Sequence, residues 1–289
     1  MFWLWFTLGL IGFAVLFLIA VTLWGRWIRV AEYEIPVDGL DDEFDGFRIS
    51  VISDLHDRCY GKENQRLVSA LQQTAPDLVV TAGDMHEDPH SPDSLYALFR
   101  GVSQDFPVTY KEGNHDLRRG RGHAVSEESH QRHLSRISEA GAILLNDTVF
   151  PVERNGKYLL IYGQSWGGML KKQAPDFPSD MPTVCVCHDP LQFDHLDPLP
   201  DLVISGHVHG GILRLPGIGP VFAPGNGAPL RKRFRLRYFF PKYSRGLYQK
   251  GKHTLAVTQG LGFAILPIRL IRPEILVLTL KSSEKLNIS

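Results

Sequence analysis

The first 25 residues carry no charged side chain, and the first ionisable side chain along the sequence is Arg26. At about 1.5 Å per residue, Met1 to Gly25 is long enough to cross a hydrocarbon layer of about 30 Å with some tilt. Trp3 and Trp5 stand at one end of the run, and Trp24 and Trp27 at the other, where amphipathic rings favour the headgroup level. A cleaved signal peptide is the main alternative. The run has no basic leading region, however, and no small-x-small cleavage signature follows it. A buried core helix is the third reading, disfavoured by the length of the uncharged terminus. The expectation is one transmembrane anchor, residues 1–25, in an inner (cytoplasmic) membrane. Arg26 and Arg29 follow the run while no Lys or Arg precedes it, so the positive-inside tendency directs the rest of the chain to the cytoplasm.

The remainder reads as a globular protein. Over the whole chain 44% of residues are apolar and 21% charged, which argues against disorder. The formal net charge is zero, so bulk charge points to no nucleic acid and any such binding must rest on a local patch. Cys59, Cys185 and Cys187 are too few for a disulfide scaffold. They fit a reducing compartment, with a Cys185–Cys187 bridge left open. Composition does not speak to oligomeric state.

Residues 26–46 are acidic and turn-rich, with Asp41, Asp42, Glu43 and Asp45 close together, and are expected to be a juxtamembrane connector. Residues 47–281 are expected to form one α/β domain, followed by a tail, 282–289. Phe47 to Ser53 and Leu78 to Ala82 are apolar, β-branched runs that predict buried strands. Between them, Leu67, Ala70 and Leu71 have helical spacing. A strand, helix and strand in that order make a βαβ unit and a partly parallel sheet. The pattern continues with helix over 94–102, strand over 108–112 and helix over 127–140. Strands 148–153 and 158–162 flank Arg154-Asn155-Gly156, a hairpin turn. Short strands follow at 184–187, 202–205 and 274–280, so the second half is richer in strand. A two-layered or sandwiched sheet is expected.

The informative residues stand at the ends of those strands. Asp54-Leu55-His56 follows the first, and residues two apart in an extended segment share a side and can converge on one ion. Gly83-Asp84 follows the second strand and Gly113-Asn114-His115-Asp116 the third. His188 ends the 184–187 strand, and Gly206-His207-Val208-His209 follows 202–205. Ligands of open α/β sheets gather at the carboxyl ends of strands, so these clusters share one rim. Each glycine precedes a candidate ligand where a sharp turn is needed. Oxygen and imidazole donors without thiolate suit Mn, Fe, Zn or Co. Taken singly, Asp-x-His occurs by chance, Gly-Asp is an ordinary turn and a lone His is more often a satisfied core residue. Their conjunction and order point to a binuclear metal site.

These blocks resemble the five-block signature of the calcineurin-like metallophosphoesterases, over roughly Phe47 to Leu280. Tyr243 to Tyr248 and Gly260 to Pro273 further resemble a bacterial membrane-associated branch. That branch includes enzymes cleaving the pyrophosphate of UDP-2,3-diacylglucosamine in lipid A synthesis. The resemblance implies a four-layered α/β/β/α sandwich and two divalent metal ions, with manganese the leading candidate. It implies that Asp54, His56 and His209 hold one ion, that Asn114, His188 and His207 hold the other, and that Asp84 bridges them. Met85-His86-Glu87-Asp88 departs from the aliphatic sequence often found after Gly-Asp.

Two such ions activate a bridging water and stabilise charge on attacking and leaving oxygens. His115, outside the ligand set, is expected to give a proton to the leaving oxygen, with Asp116 orienting it. The expected substrate is a phosphodiester or pyrophosphate, lipid-linked because the anchor holds the site at the bilayer. The rival readings are a general phosphodiesterase on soluble nucleotides and a non-catalytic membrane scaffold. Arg231 to Arg237, a dense basic run followed by Tyr238, Phe239 and Phe240, reads as a solvated loop or a membrane or lipid-headgroup contact, with nucleic acid the least favoured reading. His123, His130 and His133 are expected on the surface and inert, and Cys185 and Cys187 in packing; His86 and His90 follow the Gly83-Asp84 block, and a substrate contact there is left open rather than expected.

Overall fold

The structure, a computed structural model, describes residues 1–87, 93–119, 123–124, 126–166, 177–178, 181–211, 213–215, 218–222, 240–262 and 271–286. Helix α1 (Phe2–Trp24) leads through Gly25 to Ile28 into strand β1 (Arg29–Val37). Then come β2 (Arg48–Ile52), α2 (Gln65–Gln73), β3 (Leu78–Thr81), α3 (Asp93–Val102) and β4 (Val108–Tyr110). Next are α4 (Glu127–Glu139), β5 (Ala142–Leu144), β6 (Thr148–Arg154), β7 (Lys157–Gly163), β8 (Thr183–Val186) and β9 (Leu202–Ser205). The chain closes with β10 (Gly246–Lys250), β11 (His253–Val257), β12 (Glu274–Ser282) and the short α5 (Ser283–Leu286).

The segment 26–46, expected to be a connector, holds a strand of the domain instead. β1 pairs in parallel with β12 from Arg29 opposite Glu274 to Val37 opposite Ser282. Its sequence alternates. Ala31, Ile35 and Val37 are buried, while Glu32 and Glu34 between them face solvent. The acids at 41–45 occupy a tight turn that drops Phe44 into the core. Only four residues therefore separate α1 from the sheet.

The strands form two six-stranded sheets, in the orders β1-β12-β2-β3-β4-β5 and β10-β11-β9-β8-β7-β6. β2, β3, β4 and β5 run parallel in the first, and β7, β8, β9 and β11 in the second. Period-two alternation on strands buried on both faces builds the layers. Ile49, Val51, Leu78 and Val80 of the first sheet meet Leu159, Ile161, Val184, Val186, Leu202 and Ile204 of the second. Val79 and Val108 point the other way, onto Leu67 and Leu71 of α2, Leu98 and Phe99 of α3, and Ile137 of α4.

On the far face of the second sheet, Cys185, Cys187 and Val203 pack with Phe193, Leu196 and Tyr243. Both cysteines thus serve packing, as free thiols. The architecture is a mixed α/β sandwich of two sheets. Among the described residues its fourth layer is a 3₁₀ turn, Pro190–Asp194, with loops rather than an α-helix. The stretch Arg231 to Phe239 and His90 lie outside the described residues.

Candidate metal centre

The carboxyl ends of β2, β3 and β4 meet those of β8 and β9 along one edge of the sandwich, and the loops there are left-handed. Asp54, His56, Asp84, His207 and His209 all have φ between 48° and 71°. Such a conformation costs a non-glycine residue on the order of 1 kcal/mol and persists where its surroundings over-determine it. This corrects the expectation of an extended Asp-x-His. Asp54 N–H donates to the Gly83 carbonyl (2.9 Å) and His56 N–H to that of Asp84 (3.2 Å), so the chain curls over the end of β3. Curling, rather than strand alternation, turns both side chains to the same point.

The two sheets also approach closely here. A β-carbon at Gly83 would stand 2.5 Å from the His188 ring, and one at Gly206 would stand 2.0 Å from the Ser53 hydroxyl. Any side chain at either position would push the sheets apart.

Among the described residues, three sets bring ligand atoms within 4.8 Å of one another: Asp54, His56 and His209; His56, Asp84 and His115; and Asp84, His188 and His207. The sets overlap at His56 and at Asp84. The Nε2 atoms of His56 and His209 are 3.2 Å apart, and His207 Nδ1 is 3.2 Å from His188 Nε2. His188 Nε2 lies 3.0 Å from Asp84 Oδ2, and His209 Nε2 3.5 Å from Asp54 Oδ1. Asn114 is buried, and its Oδ1 has no hydrogen-bond partner. A buried amide oxygen without a donor costs about 1–3 kcal/mol. An oxygen-seeking cation removes that cost, and the converging imidazole nitrogens and carboxylates form the hard-to-borderline donor set that divalent Mn, Fe, Zn or Co prefers. The residues fit two metal ions.

The carboxylates are held by amides. Both oxygens of Asp54 accept the His207 N–H (3.1 and 3.0 Å), and the Ser53 hydroxyl donates to Oδ2 (2.6 Å). Asp84 Oδ1 accepts the His115 N–H at 2.7 Å. His188 is fixed by a 2.6 Å hydrogen bond between Nδ1 and the Ala82 carbonyl, which directs Nε2 to the centre. Burial opposes charge on the His188 ring, but the Asp84 charge and hydrogen bond outweigh it and lift its pKa to about 9. Burial likewise opposes charge on Asp84, which His188, then His56 and His115, nevertheless hold well below the usual carboxylate range. An anionic Asp84 among imidazoles is poised to exchange protons for a cation.

His115 stands at the mouth, its side chain 37% exposed. Burial lowers its pKa against the pull of Asp84. Its carboxylate neighbour is not the expected one. Asp116 turns both oxygens to backbone, accepting N–H groups of Asp84 (2.7 Å), Met85 (3.0 Å), His86 (3.1 Å) and Gly113 (2.6 Å). It thereby ties the β3 and β4 loops together.

Glu87, which sequence reasoning passed over as mere polarity, places Oε1 3.0 Å from His56 Nδ1 and 3.7 Å from His115 Nδ1. An acid three residues after the Gly83-Asp84 turn was the available signal. Trp166, also missed, sets its ring 5.6 Å from that of His188 and 5.3 Å from that of His207. No sequence pattern marks it.

His86, left open as a substrate contact, is fully buried with its ring 4.2 Å from His133, away from any substrate rim. His133, expected on the surface, is buried too, hydrogen-bonded to Tyr96 (2.8 Å) and Tyr110 (3.4 Å), and burial lowers its pKa to about 3. His130 bonds Glu112 Oε1 at 2.6 Å. The helix α4 that carries both packs its His133 side inward, which a mostly polar sequence concealed.

The family model for calcineurin-like phosphoesterases matches residues 47–211, more than half of the chain. The metallophosphoesterase YkuE of Bacillus subtilis is 28% identical over 278 residues, covering 89% of this chain and 86% of that protein. The phosphodiesterase YaeI of Escherichia coli is 25% identical, covering 81% of this chain and 82% of that protein. A transmembrane protein with metallophosphoesterase domain from Danio rerio is 27% identical, with 88% of this chain against 58% of that one. Family match, two-sheet fold and converging Asp, His and Asn side chains agree: the chain belongs to the calcineurin-like phosphoesterases, metal-dependent enzymes that hydrolyse phosphoester bonds.

Proposed function

We propose that this enzyme hydrolyses a phosphodiester or pyrophosphate carried by a lipid-linked molecule at the membrane surface. In this reading Asp54, His56 and His209 hold one divalent ion, Asn114, His188 and His207 hold the other, and Asp84 bridges them. The observation that carries the reading is the overlap of the ligand sets at Asp84 and His56. When bound, the two ions, manganese foremost, supply water activation and charge neutralisation on the phosphoryl oxygens. The side chains do the rest. His115 delivers a proton from Nε2 to the leaving oxygen, while Nδ1 faces Glu87. Glu87 orients His115 and His56 together, and Asp116 acts by fixing the loop that carries Asn114 and His115.

The membrane part of the reading rests on α1. Its 23 residues carry no charge, are apolar but for Thr7, Thr22 and two glycines, and the apolar stretch is not buried against the rest of the protein. The similar protein from Danio rerio is named as a transmembrane protein. α1 then serves as a single anchor in the inner membrane, with Arg26 and Arg29 favouring a cytoplasmic domain that begins at β1. Arg58, two residues beyond His56, donates to the carbonyl of Gly25 at the end of α1. Chain geometry thus keeps the ligand loop within about 20 Å of the helix end, close to where a lipid headgroup lies. UDP-2,3-diacylglucosamine is the leading candidate. A non-catalytic scaffold is disfavoured by the complete ligand set and His115.

The test is hydrolysis by the purified full chain with Mn²⁺, comparing that lipid with bis-p-nitrophenyl phosphate and using Asp84→Ala as the blank. Asp84-dependent release of UMP from the lipid supports the reading. Cleavage of the chromogenic diester alone overturns the lipid substrate and favours soluble diesters. Cleavage of neither by metal-loaded protein favours the scaffold.

A further inference from the structure

The four residues between α1 and β1 are gripped by arginines. Arg58 donates to the Gly25 carbonyl, Arg66 Nη2 to that of Arg26 (3.4 Å), and Arg272 to those of Trp27 and Ile28 (both 3.3 Å). The end of a helix leaves carbonyls that attract cations, which explains part of this collar. It does not account for all of its charge. Arg26 lies in the same cluster, and among the described residues no carboxylate comes within ion-pair distance of Arg26, Arg66 or Arg272. Beside them is a cleft of about 340 Å³ lined by Ala20, Leu23, Trp24, Trp27 and Arg272. The Arg272 guanidinium sits 5.5 Å from the centre of the Trp24 ring, and both tryptophans are more than half exposed. Apolar walls supplied by a membrane helix, with guanidinium groups at one end, match an acyl chain below and a phosphate above.

We propose that this junction is a binding site for the phosphate of an anionic phospholipid of the surrounding leaflet, seated between Trp24, Trp27 and Arg272 with Arg26 and Arg66 beside it. The proposal rests on the reading of α1 as membrane-inserted. Its consequence reaches the metal centre through Arg58. That side chain also donates to the Leu261 carbonyl (3.0 Å), and the N–H groups of Leu261 and Gly262 donate to Ser53 and Asp54 (2.9 and 2.5 Å). A lipid in the collar is therefore connected to the ligand loop by a short run of backbone, and it fixes the height and tilt at which the catalytic mouth meets the bilayer.

The experiment uses the full chain, first floated with vesicles of phosphatidylcholine alone. It is then extracted in mild detergent with equal phosphatidylcholine and phosphatidylglycerol, and the retained lipid is counted by native mass spectrometry. Flotation on neutral vesicles is expected, followed by retention of phosphatidylglycerol over phosphatidylcholine by about fivefold or more. The preference should fall to near parity in Arg66→Gln/Arg272→Gln, with circular dichroism as the check on folding. Arg66→Gln alone, which loses only a long surface hydrogen bond, should lower it part of the way. Equal retention of the two lipids by the unaltered chain overturns the site while leaving α1 in the membrane. A chain that does not float overturns the membrane reading, and this site with it.

Discussion

The two sheets bring different things to the rim. The first contributes Asp54, His56, Asp84, Asn114 and His115, of which Asp54, His56 and Asp84 are left-handed and the two carboxylates are held by backbone N–H groups. The second contributes only imidazoles, His188, His207 and His209, with His188 aimed by the Ala82 carbonyl at Asp84 and His209 set beside His56 and Asp54. The carboxylate charge that attracts cations thus comes from one sheet alone, and the directional nitrogen donors, His56 excepted, from the other. Neither sheet alone has a complete coordination sphere. The tight crossings at Gly83 and Gly206 show why the layers must meet at van der Waals distance for the site to exist.

Removing the shared carboxylate should break this comparison most. Asp84→Ala is expected to reduce turnover by at least about 10³-fold. Metal content by elemental analysis should fall from two ions per chain to one or fewer. His207→Ala, from the imidazole side, should leave one ion bound, and retention of both ions there would contradict the division of labour. At the mouth, His115→Ala should keep both ions and lose about 10²–10⁴-fold on poor leaving groups. Glu87→Gln should cost about 10–100-fold on the same substrates, because it releases two rings rather than one ligand. Equal losses on good and poor leaving groups would remove Glu87 from the proton path.

Asp116 tests the stitching rather than the charge. Its carboxylate receives four backbone N–H groups, so Asp116→Asn presents amide hydrogens to donors and should destabilise the fold by about 2–4 kcal/mol. Chemical denaturation followed by circular dichroism reads this directly. A change in turnover without a change in stability would return Asp116 to the role of orienting His115.

The contrast between the sheets also explains what the sequence revealed. Ligands after β2, β3, β4, β8 and β9 were legible because strand ends, glycines and Asp, His or Asn coincide within a few residues. β1 was not, because its Glu32 and Glu34 read as part of an acidic connector when they are the solvent side of an alternating edge strand. β10 was seen only in part, within the family-like stretch Tyr243 to Tyr248, and β11 not at all, although they pair from Gly246 opposite Val257 to Lys250 opposite His253. Glu87 and Trp166 come into the site from loops, where no periodicity announces direction. The left-handed Asp54 and His56 were beyond reach for the same reason: their conformation is imposed by β3, not by their neighbours in sequence.

The smallest effect expected lies behind the rim, at an imidazole–carboxylate pair outside the ligand set. Glu112 sits two residues before Asn114 and takes hydrogen bonds from His130 (2.6 Å) and Asn146 (2.6 Å). The Glu112 hydrogen bond raises the pKa of His130, with burial opposing it and the charges of Glu112, Glu127 and Asp116 adding to it. A histidine whose folded pKa exceeds its unfolded value stabilises fully below the unfolded value, near 6.5, and loses that contribution as pH rises through the folded one. His130→Gln should therefore lower Tm at pH 5.5 by about 2 °C, a modest shift for the loss of one pair from a chain of this size, and by less at pH 8.5. Scanning calorimetry at the two values decides it. A deficit larger at pH 8.5 would mean that His130 holds the loop as a neutral donor, and that the Asn114 loop is braced by geometry alone.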